Sequence, residues 1–235
     1  MLKRLINWIW SWIVSAPKAE IPKEVYIAGN VKLGTEDMTT SHVALIVGHN
    51  EKEQGAANYH GETEFSFNSR IAQKVSDRLA KRAVMCAIIK RPHGRSYSSQ
   101  VDSVIKELKK VRAPFAISLH FNAHTKRVYG CEALIDESVI YNDSTWLLAD
   151  YFTDELNRKM RLVERHQDGL KVIKKNHNGA LMLRELRDIG VSAFIAEPVF
   201  ANIKTPESEM FFDSEELYVE ILASTLYRAH KKRLS

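Results

Sequence analysis

Four residues of this chain are of types that carry out hydrolysis, and the pattern sets them at or near the ends of apolar runs. His49 follows Gly48 at the end of Val43–Val47, and Glu64 comes shortly after, ahead of a helical pattern. His120 closes a run within Ser118-Leu-His-Phe-Asn-Ala123, and Glu197 closes another within Phe194-Ile-Ala-Glu-Pro198. Two histidines and a carboxylate make a zinc set that leaves a fourth position for water. Bound zinc brings the pKa of that water to about 7 and polarises a carbonyl. A further carboxylate is then needed to take and return protons. His49, Glu64 and His120 are the candidate ligands, and Glu197 is the candidate base. Taken singly, each has a plainer explanation. A histidine after a strand usually belongs to a loop or the core, and a glutamate before a helix usually answers the helix dipole. Glu197 is the least easily dismissed, because a charge ending an apolar strand is costly unless it is paired or used.

These residues need a scaffold that brings distant positions to one edge, and the pattern supplies it. Val43–Val47 is a short, continuous apolar run of the kind that forms a strand buried on both faces. Ile71, Val75 and Leu79 recur every four residues and predict an amphipathic helix. Further strands are expected at 84–89, 115–121, 131–135 and 193–196, with helices around 101–111, 144–160 and 179–186. Asp143 or Ser144 is the expected N-cap of the 144–160 helix. Asp213 and Glu216 have capping-box spacing and predict the start of a last helix through Leu217, Ile221 and Leu222. Strands alternating with helices imply an α/β domain with a mostly parallel twisted sheet flanked by helices. In such a sheet the carboxyl ends of the strands line the ligand crevice, so His49, His120 and Glu197 are expected on one edge.

Hydrophobic residues at 45% and charged residues at 27% exclude disorder as the main state and describe an ordinary globular chain. The mean hydropathy of −0.28 argues against a multi-span membrane protein, and no apolar run approaches about 20 residues. Two cysteines, Cys86 and Cys131, are too few for a disulfide scaffold or a four-cysteine zinc site and read as buried strand thiols. The net charge of +5 suits an anionic partner, but the basic residues are scattered in short groups and no nucleic-acid motif appears. No nucleic-acid partner is therefore expected.

The chain divides into residues 1–15, a lead-in over 16–40, and a catalytic domain over 41–235. The first fifteen residues hold three of the four tryptophans, and Lys3 and Arg4 precede an apolar stretch from Leu5 to Val14. This segment reads as a signal-type segment, as a helix lying in a membrane interface, or as a helix packed on the domain. The lead-in contains Pro17, Pro22, Gly29 and Gly34 and shows no sustained periodicity.

From about Ser41 to Ala229 the chain resembles the zinc-dependent N-acetylmuramoyl-L-alanine amidases of the type-3 family. The resemblance rests on motifs in order: Gly48-His49; Glu64 four residues before Asn68; Ser118-x-His120-x-Asn122-Ala123; Gly130-x-Glu132; Leu183-Arg184; and Glu197 followed by Phe200 and Asn202. The chain departs where the family usually has Asp-Pro-Gly-His, since Ile46 and Val47 precede Gly48 here, and Pro198 stands where a small or aliphatic residue is common. The resemblance implies one zinc ion per chain on His49, Glu64 and His120, with Glu197 as general acid and base. It implies peptidoglycan as substrate, cut at the amide between N-acetylmuramic acid and L-alanine. Asn122, His177 and Arg184 are weak candidates for substrate contacts. A zinc peptidase or carboxypeptidase acting on wall peptides, and a non-catalytic wall-binding module of the same fold, are the alternatives. Work in the cell envelope is implied, by a bacterial remodelling enzyme or by a phage lysis enzyme (an endolysin) delivered there. The tryptophan-rich start adds an expected membrane contact through residues 1–15.

Overall fold

The computed structural model describes residues 41–141 and 143–234. The segments 1–15 and 16–40, and the membrane contact expected of the first, lie outside these residues. Six strands form one sheet: β1 (Val43–Val47), β2 (Cys86–Lys90), β3 (Phe115–Leu119), β4 (Glu132–Asp136), β5 (Leu170–Ile173) and β6 (Ser192–Glu197), in the order β2-β1-β3-β6-β4-β5. Among the described residues six α-helices accompany them: α1 (Glu64–Ala80), α2 (Tyr97–Val111), α3 (Ser144–Met160), α4 (Ala180–Asp188), α5 (Pro206–Asp213) and α6 (Glu215–Leu234). Among the described residues no helix is long and apolar enough to cross a membrane.

Strand β1 shows why the sheet is central. All five of its residues are buried. Val43, Leu45 and Val47 belong to one core, with Phe67, Ile71 and Val75 of α1, Phe152 of α3 and Leu222 of α6. The alternate residues Ala44 and Ile46 belong to a second core, with Val101 and Val104 of α2 and Leu183 and Leu186 of α4. Side chains alternate across a strand, so a continuous apolar run is what a strand covered on both faces requires. The helices are capped as their sequences suggest. Thr63 accepts from the Ser66 N–H at the start of α1, and Asp143 from the Trp146 N–H at the start of α3. Cys86 and Cys131 are both buried free thiols, as expected.

The fold class is the one the pattern predicts, with three differences. First, β4 pairs with β6 antiparallel, while β2, β1, β3 and β6 run parallel to one another and β5 runs parallel to β4. The amino ends of β4 and β5 therefore share the edge where β1, β3 and β6 end. Second, β5 carries no strand signal in the sequence, because Leu-Lys-Val-Ile is four residues long and Val172 is exposed at the sheet's outer edge. Third, Asp213 ends α5 rather than capping the last helix, which begins at Glu215. Thr205 and Ser208 form the capping box of α5, with Pro206 in its first turn.

Candidate metal and acid–base site

The expected gathering of His49, Glu64 and His120 occurs where β1 and β3 end beside the start of α1. Glu64 is the first residue of α1 and is buried. Its Oε1 lies 3.2 Å from His49 Nε2 and 3.0 Å from His120 Nδ1. The backbone N–H of Phe121 donates to the same oxygen at 2.9 Å, and the N–H of Ala56 donates to Oε2 at 3.2 Å. One ligand atom from each of the three residues falls within 4.8 Å of the others. His49 Nδ1 lies 3.1 Å from the backbone oxygen of Glu53. A proton donated there leaves Nε2 free to ligate, the usual way of fixing a metal-binding histidine. The His120 backbone N–H donates to Ala196 O at 3.0 Å, tying the residue to β6 just before Glu197.

Two glycines hold this cluster tight. A Cβ on Gly48 would sit 2.1 Å from the His120 ring, and one on Gly55 would sit 2.5 Å from Glu64 Oε2 and 2.7 Å from His49 Cδ2. Gly55 also has φ +75°, which side-chain-bearing residues adopt only with strain. Burial by itself would raise the Glu64 carboxyl, but the adjoining His120 and His49 rings outweigh it and bring the pKa to about 2. Burial lowers the pKa of His120. An ionised carboxylate and two imidazoles, converging with backbone-fixed orientation, are a donor set that fits a zinc ion with one position open.

Glu197 ends β6 next to this cluster, and the reversed strand brings it a second carboxylate. Glu132, the first residue of β4, stands opposite Glu197 in the antiparallel register. Each carboxyl group therefore lies close enough to feel the other. Burial, then repulsion from Glu132, holds the Glu197 carboxyl well above the usual range. Burial opposes ionisation of Glu132 too, but Lys171, Arg165 and His166 outweigh it and hold Glu132 low. The contacts agree with this split. Glu132 Oε2 lies 3.2 Å from Arg165 Nε and 3.0 Å from His166 Nε2, and its Oε1 lies 3.5 Å from Lys171 Nζ. The Asn122 amide donates to Oε1 at 2.6 Å. Of the two carboxyls, Glu197 is therefore the one that keeps its proton to higher pH, as a group must if it is to exchange protons near neutral pH.

Of the three weak substrate candidates, Asn122 lies at this site through its bond to Glu132. His177 is in the turn that leaves β5 at its carboxyl end, the edge away from Glu132, and its ring meets the Asn178 backbone oxygen. Arg184 is on α4 and lies 3.5 Å from Glu185. His124 lies in the loop after β3, as its position suggests, where Asn202 bonds its backbone on both sides at 3.1 and 2.9 Å.

Two residues of this edge are not singled out by their types. Glu132 stands in the sequence as part of a motif without a role, and only the antiparallel register places it on Glu197. Arg91, just past β2, is 7% exposed, with its Nη2 3.3 Å from His49 Nδ1. Nothing about a single arginine after a strand signals that placement.

A family model described as N-acetylmuramoyl-L-alanine amidase matches residues 43–224. The chain belongs to this family. Solved structures of similar fold include the N-acetylmuramoyl-L-alanine amidase AmiC2 of Nostoc punctiforme, at 17% identity and a TM-score of 0.58, covering 84% of this chain and 98% of that one. The catalytic domain of the amidase CwlV from Bacillus (Paenibacillus) polymyxa is 19% identical with a TM-score of 0.60, over 80% of this chain and 97% of that one. The catalytic domain of the CD27L endolysin, which targets Clostridia difficile, is 18% identical with a TM-score of 0.60, over 81% and 96%. At these identities the likeness is one of fold. No curated protein matches the chain. Within the amidase family, then, this chain has the motif carboxylates and histidines in a single cluster at one sheet edge.

Proposed function

We propose that this family member is a zinc-dependent N-acetylmuramoyl-L-alanine amidase, hydrolysing the amide between the lactyl group of N-acetylmuramic acid and L-alanine in peptidoglycan. The observation that carries this reading is the convergence of His49, Glu64 and His120 beside Glu197, a half-buried carboxyl that its surroundings hold above the usual range. His49 Nε2, Glu64 and His120 Nδ1 would hold one zinc ion. Its contribution when bound is to acidify water and polarise the scissile carbonyl.

The remaining steps belong to the chain. Glu197, once deprotonated, takes a proton from the attacking water and returns it to the departing alanine nitrogen. Glu132 keeps the Glu197 carboxyl basic enough for the first transfer, because its own charge resists a second charge beside it. Asn122, His166 and the cations Arg165 and Lys171 hold Glu132 in place. Gly48 and Gly55 let the two histidines and Glu64 approach closely. Peptidoglycan as substrate places the work in the cell envelope.

The test is digestion of purified peptidoglycan followed by mass spectrometry of the muropeptides, with and without a chelator. The expected products are a free lactyl carboxylate and a peptide beginning with an L-alanine amine, formed only with zinc. Release of single peptide residues would instead identify a carboxypeptidase. Binding without any cleavage in zinc-loaded protein would identify a wall-binding module.

A further inference from the structure

A pocket of about 330 Å³ opens beside the cluster, on the side of β2 and away from Glu132. Phe65 of α1 forms part of its wall, and Lys52, Lys90, Arg91 and His93 line it, with Glu51 as the one acidic residue. Arg91 is the unusual member. Its guanidinium is buried, yet among the described residues no carboxylate comes within ion-pair distance of it, and its Nε has no hydrogen-bond partner. Tyr97 accounts for part of its surroundings, with the ring centroid 5.4 Å from the guanidinium carbon. Glu53 feels the charge, but its Oε2 is taken by Gln100 at 2.7 Å and approached by Asn50 at 3.4 Å.

A buried, unpaired guanidinium is costly, because it loses water without gaining a counter-charge. The cations on the other flank bear no such cost: Arg165 and Lys171 already converge on Glu132. An anion arriving at this edge therefore finds its unmet partner at Arg91. The guanidinium stands one imidazole ring beyond the His49 nitrogen that faces Glu64. Two extended residues span about 7 Å, enough to carry a carboxylate from the scissile amide to that distance.

We propose that this pocket is a subsite for a carboxylate on the peptide side of the scissile amide, with Arg91 as its buried anchor and Lys52 and Lys90 at its rim. The proposal rests on the amidase reading and adds to it a preference for an acidic stem peptide. In a peptidoglycan stem, the residue after L-alanine is D-isoglutamate, whose α-carboxylate is either free or amidated. The free form matches the pocket, and the amide does not.

The experiment compares the γ-methylamides of N-acetylmuramoyl-L-alanyl-D-isoglutamate and of its isoglutamine counterpart, which differ on the peptide side only in whether the α-carboxylate is free, as substrates of the zinc-loaded full chain. The acid is expected to have the higher kcat/KM by about tenfold, mainly through KM, the size of one charge-assisted contact. Arg91→Gln should collapse that ratio towards one, and Arg91→Lys should keep part of it. Because Arg91 is buried and close to His49, the exposed double variant Lys52→Ala/Lys90→Ala supplies an independent test, and it should shrink the ratio with zinc content and melting temperature unchanged. Equal cleavage of both substrates by the wild type, or a ratio that survives both sets of substitutions, overturns the subsite and leaves the amidase reading standing. Cleavage of neither substrate, by protein that also fails on whole peptidoglycan, overturns both.

Discussion

Helix α1 presents Arg70, Lys74 and Arg78 along its flank, followed by Arg82 in the turn after it, to Glu62 and to Glu215, Glu216 and Glu220 of α6; at its first residue it presents Glu64 to His49 and His120. Both regions are built from carboxylates and bases. On the flank the distances are short, 2.6 Å for Lys74–Glu215 and for Arg82–Glu220, and the side chains remain 20–38% exposed. Water screens such pairs, so each contributes at most about 1 kcal/mol, and their effect is to align α1 with α6. At the helix start the same chemistry is out of water. Glu64 is 3% exposed and Glu132 is 1% exposed, and there a neighbour's charge moves protonation rather than merely adding a weak attraction. Burial, not residue type, separates the charges that fasten helices from those able to do chemistry.

Variants that break the buried side have the largest expected effects. His120→Ala removes one of three ligands, so the protein should lose stoichiometric zinc and all detectable cleavage, read by metal analysis and muropeptide release. Zinc retained at one per chain would exclude His120 as a ligand. Glu197→Gln should keep zinc and the fold but lose roughly 10²–10⁴-fold in kcat, the range for a proton-transfer group. Loss of zinc from this variant would make Glu197 a ligand and reopen the role of Glu64.

Glu132→Gln sharpens the comparison without dismantling the site. A base works in its deprotonated form, so the raised carboxyl of Glu197 places the acid limb of kcat/KM at higher pH than an ordinary glutamate would. Removing the Glu132 charge takes away its repulsion and leaves Lys171 to favour an ionised Glu197. Both changes have the same sign, so the acid limb should move to lower pH. A limb that stays put or moves upward would show that Glu132 does not set the Glu197 proton.

The smallest effect belongs to the flank. Glu220→Gln weakens contacts to Arg78 and Arg82 and should lower unfolding stability by less than about 1 kcal/mol, with cleavage unchanged and the difference shrinking in high salt. A loss well above that size in urea unfolding would mean that the row acts as a cooperative network.

Much of the site is legible in the chain because strand periodicity carries position as well as type. Val43–Val47, Phe115–Leu119 and Ser192–Glu197 are short apolar runs, and each is followed or ended by a chemistry-bearing residue: His49, His120 and Glu197. Parallel strands end on one edge, so the histidines, the glutamate and their meeting place follow from local pattern plus one topological rule. Glu64 follows as well, since α1 must start near the end of β1.

The tertiary structure alone decided the rest. The direction of β4 depends on which neighbour it pairs with, and nothing within Glu132–Asp136 encodes that. Only the antiparallel register with β6 sets Glu132 on Glu197, and the Glu132 charge there helps to hold the Glu197 carboxyl above the usual range. The short edge strand β5 buries too little to leave a periodic signal, yet it delivers Lys171 to the same pair. Arg91 is one of many basic residues until β2 ends beside His49 and its guanidinium is closed off from water. Residue types and spacing are local properties of the chain, so they name the candidate ligands and base. Desolvation and cross-strand pairing are made by parts of the chain far apart in sequence, so the protonation of the pair and the isolation of Arg91 arise only in the fold.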